Sequence, residues 1–205
     1  MKKTPIEVFS DWVDLGKDHG MEKNHSESVE NMLKFSTEGL QNFNCIDAGC
    51  GNGWVVRKLA SYPNCNRAIG IDGSEKMILK AKKIDSRQIY ICSDLLEWSP
   101  TEKVDLVHSM EVFYYVENPE NLIKHIYSHW LKNNSRLIIG LDFYFENTSS
   151  HSWPDDCGIN IMKLLSFKEW GEFFKSAGFK EVKTWRVGAK ENWAGTLVVT
   201  GIKKN

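Results

Sequence analysis

Short apolar runs alternate with helix-like patterns along the chain after residue 44. Between the runs, apolar residues recur at the three-to-four-residue spacing of amphipathic helices. This alternation is typical of βαβ units around a parallel sheet, and therefore of an α/β fold. The apolar runs predict strands near 44–48, 67–71, 88–92, 104–108 and 136–141. Two later runs predict an antiparallel pair at the sheet edge, over 180–187 and 196–202.

Capping signals mark the starts of three predicted helices. Ser74 and Asn118 stand at N-cap positions, and Pro119 follows in a first helical turn. Ser166 and Glu169 form a capping-box pattern before the last helix. These signals place helices between the predicted strands, as the βαβ reading requires.

Two segments lie outside this scaffold. Residues 1–43 carry two helical patterns around a polar turn at 16–25 and predict an N-terminal helical cap. Residues 142–165 form a long connection whose aromatic content indicates order, and long connections in compact domains often carry function. We therefore expect a single domain with a cofactor-binding core over 44–141 and a C-terminal helix and edge hairpin over 166–205.

Composition narrows the class of protein. A chain of 205 residues suits one sizeable domain. Its net charge of −1 provides no basic field for a phosphate backbone, so we expect no nucleic-acid partner. No apolar run approaches the roughly 18 residues of a membrane helix, so no membrane association is expected. Five cysteines without a C-x-x-C pair favour reduced thiols in a cytoplasmic protein.

The most specific pattern is a glycine-rich loop after the first predicted strand. Asp47 precedes three glycines at alternate positions, Gly49, Gly51 and Gly53, and a helical pattern follows. Glycine lets the backbone turn sharply at a strand end and approach a ligand closely. Asp72 ends the next apolar run about 20 residues further on, where a carboxylate suits the two hydroxyls of a ribose. Together these features indicate a nucleoside-containing cofactor.

The spacing of the glycines separates the candidate cofactors. Dinucleotide sites use G-x-G-x-x-G, whereas the residue three after Gly51 is Trp54. Asp47, two residues before Gly49, would repel a pyrophosphate and attract an ammonium group. The loop therefore favours a ligand with a cationic amino-acid end, and a nucleotide-dependent reductase is the less favoured alternative.

Four segments in register resemble the class I S-adenosylmethionine-dependent methyltransferases, in their small-molecule (type 11-like) branch. Residues 44–53 resemble motif I, and residues 70–74 resemble the second-strand acidic motif. Residues 92–95 are similar to the third-strand motif, and residues 104–119 to the fourth-strand and loop motif. The resemblance implies a single-domain Rossmann-like fold. Its seven-stranded sheet would be mostly parallel with the last strand antiparallel, with helices on both faces and an N-terminal helical cap.

The same resemblance implies that S-adenosyl-L-methionine is the cofactor. Asp72 would accept hydrogen bonds from the ribose hydroxyls, Asp47 with the loop backbone would hold the methionine end, and Asp94 would meet the adenine. The expected cofactor-binding residues are Asp47, Gly49, Cys50, Gly51, Asp72, Gly73, Met77, Ser93, Asp94, Leu95, Ser109 and Met110.

Fewer sequence signals mark the residues that would bind the methyl acceptor. Related quinone and lipid enzymes often have a histidine in the fourth-strand loop where this chain has Tyr115, so that role is not carried over. Histidine is a natural general base near neutral pH. The catalytic candidates are His19, His25 and His151, and the expected substrate-binding residues are Trp12, Tyr114, Tyr115, Tyr144 and Trp153.

The expected reaction is methyl transfer to an O, N or S nucleophile of a small-molecule substrate. Enzymes that methylate nucleobases are disfavoured, because residues 109–112 read Ser-Met-Glu-Val instead of a Pro-Pro motif and no Pro-Cys pair occurs. No metal is expected, and His125 and His129 are read as a solvated helix face. A non-catalytic cofactor-binding or partner-activating protein is the alternative function. The acceptor atom and the oligomeric state stay open.

Overall fold

The computed structural model describes residues 1–204. No helix in this range is long and apolar enough to span a membrane. The helices are α1 (Pro5–Asp14), α2 (Gly20–Thr37), α3 (Trp54–Ala60), α4 (Glu75–Ile84), α5 (Pro119–His125), α6 (Trp153–Asp156) and α7 (Phe167–Ser176). The strands are β1 (Phe43–Ala48), β2 (Cys65–Asp72), β3 (Ile89–Cys92), β4 (Val104–Met110), β5 (Leu131–Leu141), β6 (Lys180–Val187) and β7 (Thr196–Lys203).

All seven strands form one sheet, in the order β3-β2-β1-β4-β5-β7-β6. The first five strands pair in parallel. β7 runs antiparallel to both of its neighbours, β5 and β6. The predicted Rossmann-like sheet with an antiparallel last strand is therefore confirmed. The C-terminal pair is arranged so that β7 lies inside the sheet and β6 forms its edge.

Alternating side chains of the strands fill the core on both faces of the sheet. In β1, Ile46 and Ala48 join an apolar cluster with Phe174 of α7. Phe43 and Cys45 of the same strand point to the opposite face and join a cluster with residues of α2 and α3. Successive residues of a strand face opposite ways, so the central strands are covered by helices on both sides.

The helices begin where their capping signals predict. Ser74 Oγ accepts a hydrogen bond from the third backbone N–H of α4 at 3.3 Å. Asn118 Oδ1 accepts the corresponding bond at the start of α5 at 3.0 Å. Ser166 and Glu169 form both bonds of a capping box at the start of α7. These side chains satisfy N–H groups that the first helical turn leaves without partners.

The N-terminal segment departs from the sequence expectation in one respect. A short 3₁₀ turn covers Lys17–His19, and α2 begins directly after it. The predicted turn through residue 25 is therefore wrong, and His25 lies within the helix. Met21, His25, Ser28 and Met32 stand at helical spacing and face the protein, while the polar residues between them face solvent.

The N-terminal cap is attached both to the core and to the 142–165 connection. Ser10 Oγ of α1 lies 2.8 Å from Ser74 Oγ at the start of α4. The backbone of Lys3 accepts a hydrogen bond from Asn160 at 2.9 Å and donates one to Gly158 at 2.8 Å. The two segments outside the βαβ scaffold therefore contact each other.

Candidate active site

The carboxyl ends of the parallel strands meet at one edge of the sheet, where ligands of open α/β folds bind. β1 lies between β2 and β4, so the loop after β1 is flanked by Asp72 on one side and Met110 on the other. β5 follows β4 and brings Asp142 to the same edge. The fold therefore places the predicted cofactor-binding residues and the start of the 142–165 connection along one edge of the sheet.

The glycine loop has the backbone that its sequence requires. Gly49, Gly51 and Gly53 have φ values of +74°, +51° and +80°, in a region that favours glycine. A Cβ at Gly49 would lie 2.2 Å from Cγ2 of Val112, in the segment after β4. Packing within the protein therefore excludes a side chain at this position.

Side chains of the N-terminal cap lie over two of the predicted cofactor-binding glycines. A Cβ at Gly51 would lie 2.9 Å from Cε of Met21. A Cβ at Gly73 would lie 2.8 Å from Cδ1 of Ile6. The cap therefore covers the cofactor side of the sheet edge through the terminal carbons of these two side chains.

Asp72 connects the two cofactor loops. Its Oδ2 accepts a hydrogen bond from the Gly51 N–H at 2.9 Å, and its Oδ1 accepts one from the Ser74 N–H at 2.8 Å. Burial raises the pKa of Asp72, and these two bonds oppose the rise. Each carboxylate oxygen has a further lone pair. Asp72 therefore retains acceptors for the two hydroxyls of a ribose.

Asp47 is paired with a buried histidine that was not among the predicted site residues. The register of β1 and β4 places Asp47 beside His108, and His108 Nδ1 lies 2.7 Å from Asp47 Oδ1. Asp47 is 3% exposed and His108 is 0% exposed. The available signal was a histidine within the predicted fourth strand. His108 orients the carboxylate that is predicted to hold the methionine end of the cofactor.

The other predicted cofactor residues differ in exposure. Ser109 is buried, and its Oγ donates to the Ala48 carbonyl at 2.7 Å, which joins β4 to β1. Asp94 is exposed, and its Oδ1 accepts from the Leu96 N–H at 2.7 Å. Cys50, Met77 and Leu95 are buried, whereas Gly73, Ser93 and Met110 are partly exposed.

Two acidic side chains outside the predicted site set meet beyond β4 and β5. Glu111 accepts hydrogen bonds from the Tyr114 hydroxyl and from the Asp142 backbone N–H. Its φ of +61° is uncommon for a residue with a Cβ, and such strain clusters at functional sites. Burial, together with the charge of Asp142, raises the pKa of Glu111 well above its usual range. We call Glu111, Asp142 and His25 the acid–histidine cluster.

His25 is the catalytic candidate that the fold brings to this cluster. Its Nδ1 lies 3.5 Å from Asp142 Oδ2. Neither Nδ1 of His25 nor Oδ1 of Asp142 has a hydrogen-bond partner, although both atoms are buried. Burial lowers the pKa of His25, and the charge of Asp142 opposes that shift. The imidazole is therefore neutral near pH 7 and can accept a proton.

The acid–histidine cluster adjoins the cofactor loop. His25 stands one helical turn after Met21, a separation of about 5.4 Å along the axis, and Met21 covers Gly51. Val112, which follows Glu111, packs against Gly49. Both sides of the cluster are therefore anchored to the glycine loop.

The other two histidine candidates have different surroundings. His19 is exposed in the 3₁₀ turn. His151 Nε2 lies 3.0 Å from the Phe145 carbonyl. Their catalytic roles stay predictions.

Aromatic side chains from α1 and from the segment after β4 lie beside the cluster. Tyr115 contacts Phe9 edge-to-face at a centroid distance of 5.2 Å, and Phe9 contacts Trp12 at 5.1 Å. All three rings are partly exposed. Tyr114 is fully buried, with its ring centroid 4.4 Å from that of Tyr115. Substrate contact by Trp12, Tyr114 and Tyr115 stays a prediction.

The two aromatic candidates from the 142–165 connection are engaged in packing. Tyr144 is fully buried, and its hydroxyl donates to the Gly195 carbonyl at 3.0 Å. Trp153 stacks on Trp193 at 6.1 Å. A cavity of about 270 Å³ opens nearby, lined by residues of 146–149 and 190–194 that include no predicted site residue. Substrate contact by Tyr144 and Trp153 stays a prediction.

Within residues 1–204, no group of three or more His, Cys, Asp or Glu side chains is arranged to hold a metal ion. The rings of His125 and His129 lie 4.8 Å apart. His125 Nε2 lies 2.8 Å from the Trp98 carbonyl. His125 is therefore partly packed against the protein, whereas His129 is exposed.

Comparison with known proteins identifies the class that this site belongs to. Residues 12–184 match the family model described as a methyltransferase domain. The chain belongs to this family.

The curated relatives are matched over part of their length. The malonyl-[acyl-carrier protein] O-methyltransferase 2 of Ilyobacter polytropus is 32% identical over 119 residues, which cover 55% of this chain and 45% of that protein. The chain spans about half the length of the curated relatives it matches.

Solved structures share the fold over nearly the whole chain. A chain from the complex that contains the Haloferax volcanii Trm112 methyltransferase activator is similar with a TM-score of 0.85 at 24% identity, covering 96% of this chain and 98% of that one. The N-methyltransferase NodS from Bradyrhizobium japonicum, in complex with S-adenosyl-l-homocysteine, has a TM-score of 0.70 at 20% identity and coverages of 88% and 87%. At these identities the likeness shows the fold.

The residues present at the sheet edge fit S-adenosylmethionine. The side chain over Gly51 of the glycine loop is the terminal carbon of the flexible Met21, and Asp72 retains acceptors at the tip of β2. Asp47 contributes a negative charge where a phosphate would be repelled and an ammonium group attracted.

Proposed function

We propose that this chain transfers a methyl group from S-adenosylmethionine to an O, N or S nucleophile of a small metabolite. When bound, S-adenosylmethionine supplies an electrophilic methyl group on a sulfonium centre. The observation that supports the proposal is the acid–histidine cluster, which adjoins the glycine loop and contains a histidine that faces an acid. Named relatives include O- and N-methyltransferases, so the acceptor atom stays open at this step.

In this proposal, Asp72 binds the ribose hydroxyls and Asp47, oriented by His108, holds the amino-acid end. Backbone groups of Gly49 and Gly51 approach the cofactor closely. Asp94 is the candidate for the adenine edge because it is exposed after β3. The positions of these residues at the ends of β1, β2 and β3 support the assignments.

The N-terminal cap and the 142–165 connection would form the roof of the acceptor pocket. They are joined to each other through the backbone of Lys3 with Gly158 and Asn160. They also approach each other where His25 of α2 faces Asp142. A closed roof holds the nucleophile in line with the methyl group and excludes water, which is most of what this displacement requires.

His25 is the proposed general base. Its Nδ1 has no hydrogen-bond partner within residues 1–204, so no hydrogen bond inside the protein would compete with a substrate proton. Asp142 lies close enough to stabilise the imidazolium that forms. His19 and His151 are secondary candidates because one is exposed and the other contacts a backbone carbonyl.

A small molecule is favoured over nucleic acid because the chain has a net charge of −1. Five free cysteines accord with a cytoplasmic protein, which is part of the proposal.

Labelled methyl transfer tests this function. With S-adenosylmethionine labelled at the methyl group and a small-metabolite extract, label should enter the small-molecule fraction. His25→Ala should slow the transfer, while Asp14→Ala, a change of an exposed residue of α1, should not. Label found only in macromolecules, or no calorimetric binding of S-adenosylhomocysteine, would contradict the proposal.

A second candidate function is favoured by one feature of the surface. β3 is an edge strand, and large apolar side chains on α4, β3 and the following segment are exposed: Leu79, Ile84, Ile89 and Leu96. Exposed apolar edges mark pairing sites for other chains. One structural neighbour comes from a complex with a methyltransferase activator. We therefore propose that a small activator protein adds a strand to β3.

Turnover measured with and without a purified Trm112-type activator tests the second candidate. Stimulation that Ile89→Glu abolishes, and that a control at the exposed Leu164 (Leu164→Glu) preserves, would support it. Equal turnover in both conditions would contradict it.

A further inference from the structure

The buried aspartates of this chain differ in how their charge is compensated. Asp18 pairs with Lys80 at 2.7 Å, Asp85 with Arg87 at 2.9 Å and Asp47 with the ring of His108 at 2.7 Å. Asp142 is 5% exposed, yet its Oδ1 has no partner, and it faces His25 at 3.5 Å without a hydrogen bond. Removing a carboxylate from water without a partner is unfavourable.

Glu111 adds a second carboxyl group without a cation. Among the described residues, neither Glu111 nor Asp142 forms an ion pair with a lysine or arginine. Burial raises the pKa of Asp142, and the Thr196 hydroxyl and His25 oppose that shift. Burial also raises the pKa of Glu111. Both shifts have the direction expected when the charged forms lack a counter-ion.

The aromatic rings beside the cluster suit the same kind of ligand. Tyr115, Phe9 and Trp12 contact one another in sequence and are partly exposed. The face of an aromatic ring attracts a cation, and more strongly when water is excluded. The acidic oxygens and the aromatic rings that lie beside them both favour a cation.

We propose that the methyl acceptor is the nitrogen of a small organic amine, which enters as a cation and is held by Glu111 and Asp142. The proposal rests on the function proposed above and narrows its substrate class. A carboxylate acceptor is disfavoured because, within residues 1–204, no lysine or arginine forms an ion pair with either acid, and the two acids would repel it.

The proton balance follows from the same residues. An N–H proton of the bound ammonium moves to Nδ1 of His25, and the nitrogen keeps the electron pair as a neutral nucleophile. The imidazolium that forms is stabilised by Asp142, 3.5 Å away. Glu111 and Asp142 thus bind the cation, and His25 removes its proton.

Matched probes of different charge test the inference by binding alone. Two sets of ligands are titrated calorimetrically into the protein saturated with S-adenosylhomocysteine, and each set has one amine, one alcohol and one carboxylate. The first set is phenethylamine, 2-phenylethanol and 3-phenylpropanoate. The second set is pentylamine, 1-pentanol and hexanoate. At least one amine should bind roughly 10- to 100-fold more tightly than the alcohol of its set. This ratio corresponds to the free energy of a hydrogen bond to a charged group. Asp142→Asn should abolish that preference. Asp155→Asn, in the same connection but exposed, should retain it.

Thermal unfolding supplies a second readout. Asp142→Asn should leave Tm unchanged or raise it, because an uncompensated buried charge is removed. Asp18→Asn should lower Tm, because Lys80 loses its charged partner. Failure of both amines to bind more tightly than their alcohols, or a lowered Tm for Asp142→Asn, overturns the inference. If S-adenosylhomocysteine binds in that case, the proposed methyltransferase function stands; if it does not bind, the function itself fails.

Discussion

The attachment of the N-terminal cap to α4 can be tested with two lysines one helical turn apart. Lys80 Nζ lies 2.7 Å from Asp18 Oδ1, and Asp18 is fully buried. Lys76 Nζ lies 2.5 Å from Asp14 Oδ2, where both side chains are about half exposed. Both pairs join the cap to the same helix, so they differ chiefly in burial.

The expected loss follows from that difference. Removing one partner of a buried ion pair costs about 3–5 kcal/mol. The Lys80 side chain is 20% exposed, and Asn52 Nδ2 still donates to Asp18 Oδ2 at 3.0 Å. We therefore expect Lys80→Ala to lower the free energy of unfolding by about 2–3 kcal/mol, which is less than the cost of breaking a fully buried ion pair. Lys76→Ala should cost about 0–1 kcal/mol.

The assay is urea denaturation of the wild type and the two variants, followed by tryptophan fluorescence and circular dichroism. Hydrogen bonds from Asn52 and Lys80 outweigh desolvation and lower the pKa of Asp18. The contribution of this pair is therefore complete above the unfolded-state pKa of about 3.9 and is lost as the pH falls through the lower folded-state value. The Lys80→Ala difference should accordingly shrink below about pH 4. Equal effects of the two substitutions at pH 7 would refute the reasoning.

Three further predictions concern the site. Asp72→Ala should weaken S-adenosylhomocysteine binding by about 1–3 kcal/mol in calorimetry, because acceptors for the ribose are lost; unchanged affinity would remove the ribose assignment. Gly49→Ala should lower stability more than Gly16→Ala in thermal unfolding, since both have positive φ but only Gly49 meets Val112; equal losses would contradict the packing argument. His25→Ala should reduce methyl transfer while cofactor affinity stays within a few fold; parallel losses of both would point to a role in cofactor binding.

Local patterns were sufficient to predict the sheet and the starts of three helices. The strands are short apolar runs, and Ser74, Asn118 and Ser166 form the caps that their positions suggested. The start of α2 was predicted wrongly, because its polar residues resembled a turn. There, Met21 and His25 stand one helical turn apart and hold the helix against the core.

The candidate cofactor residues could be proposed from the sequence because they lie in contiguous motifs at strand ends. Other contacts of the candidate site could not be proposed, because their residues meet through strand pairing. Asp47 and His108 are brought together by the register of β1 and β4. Glu111 and Asp142 meet because β4 and β5 are adjacent and end at the same edge. No short motif contains either pair.

A crystal structure of the protein with S-adenosylhomocysteine tests the central claim most directly. We expect the Asp72 carboxylate to bind both ribose hydroxyls and the cofactor sulfur to face the acid–histidine cluster. The space next to the sulfur should then be bordered by His25, Glu111 and Asp142. A sulfur atom more than about 10 Å from His25 Nδ1, beyond reach of a proton on the acceptor, would contradict the account.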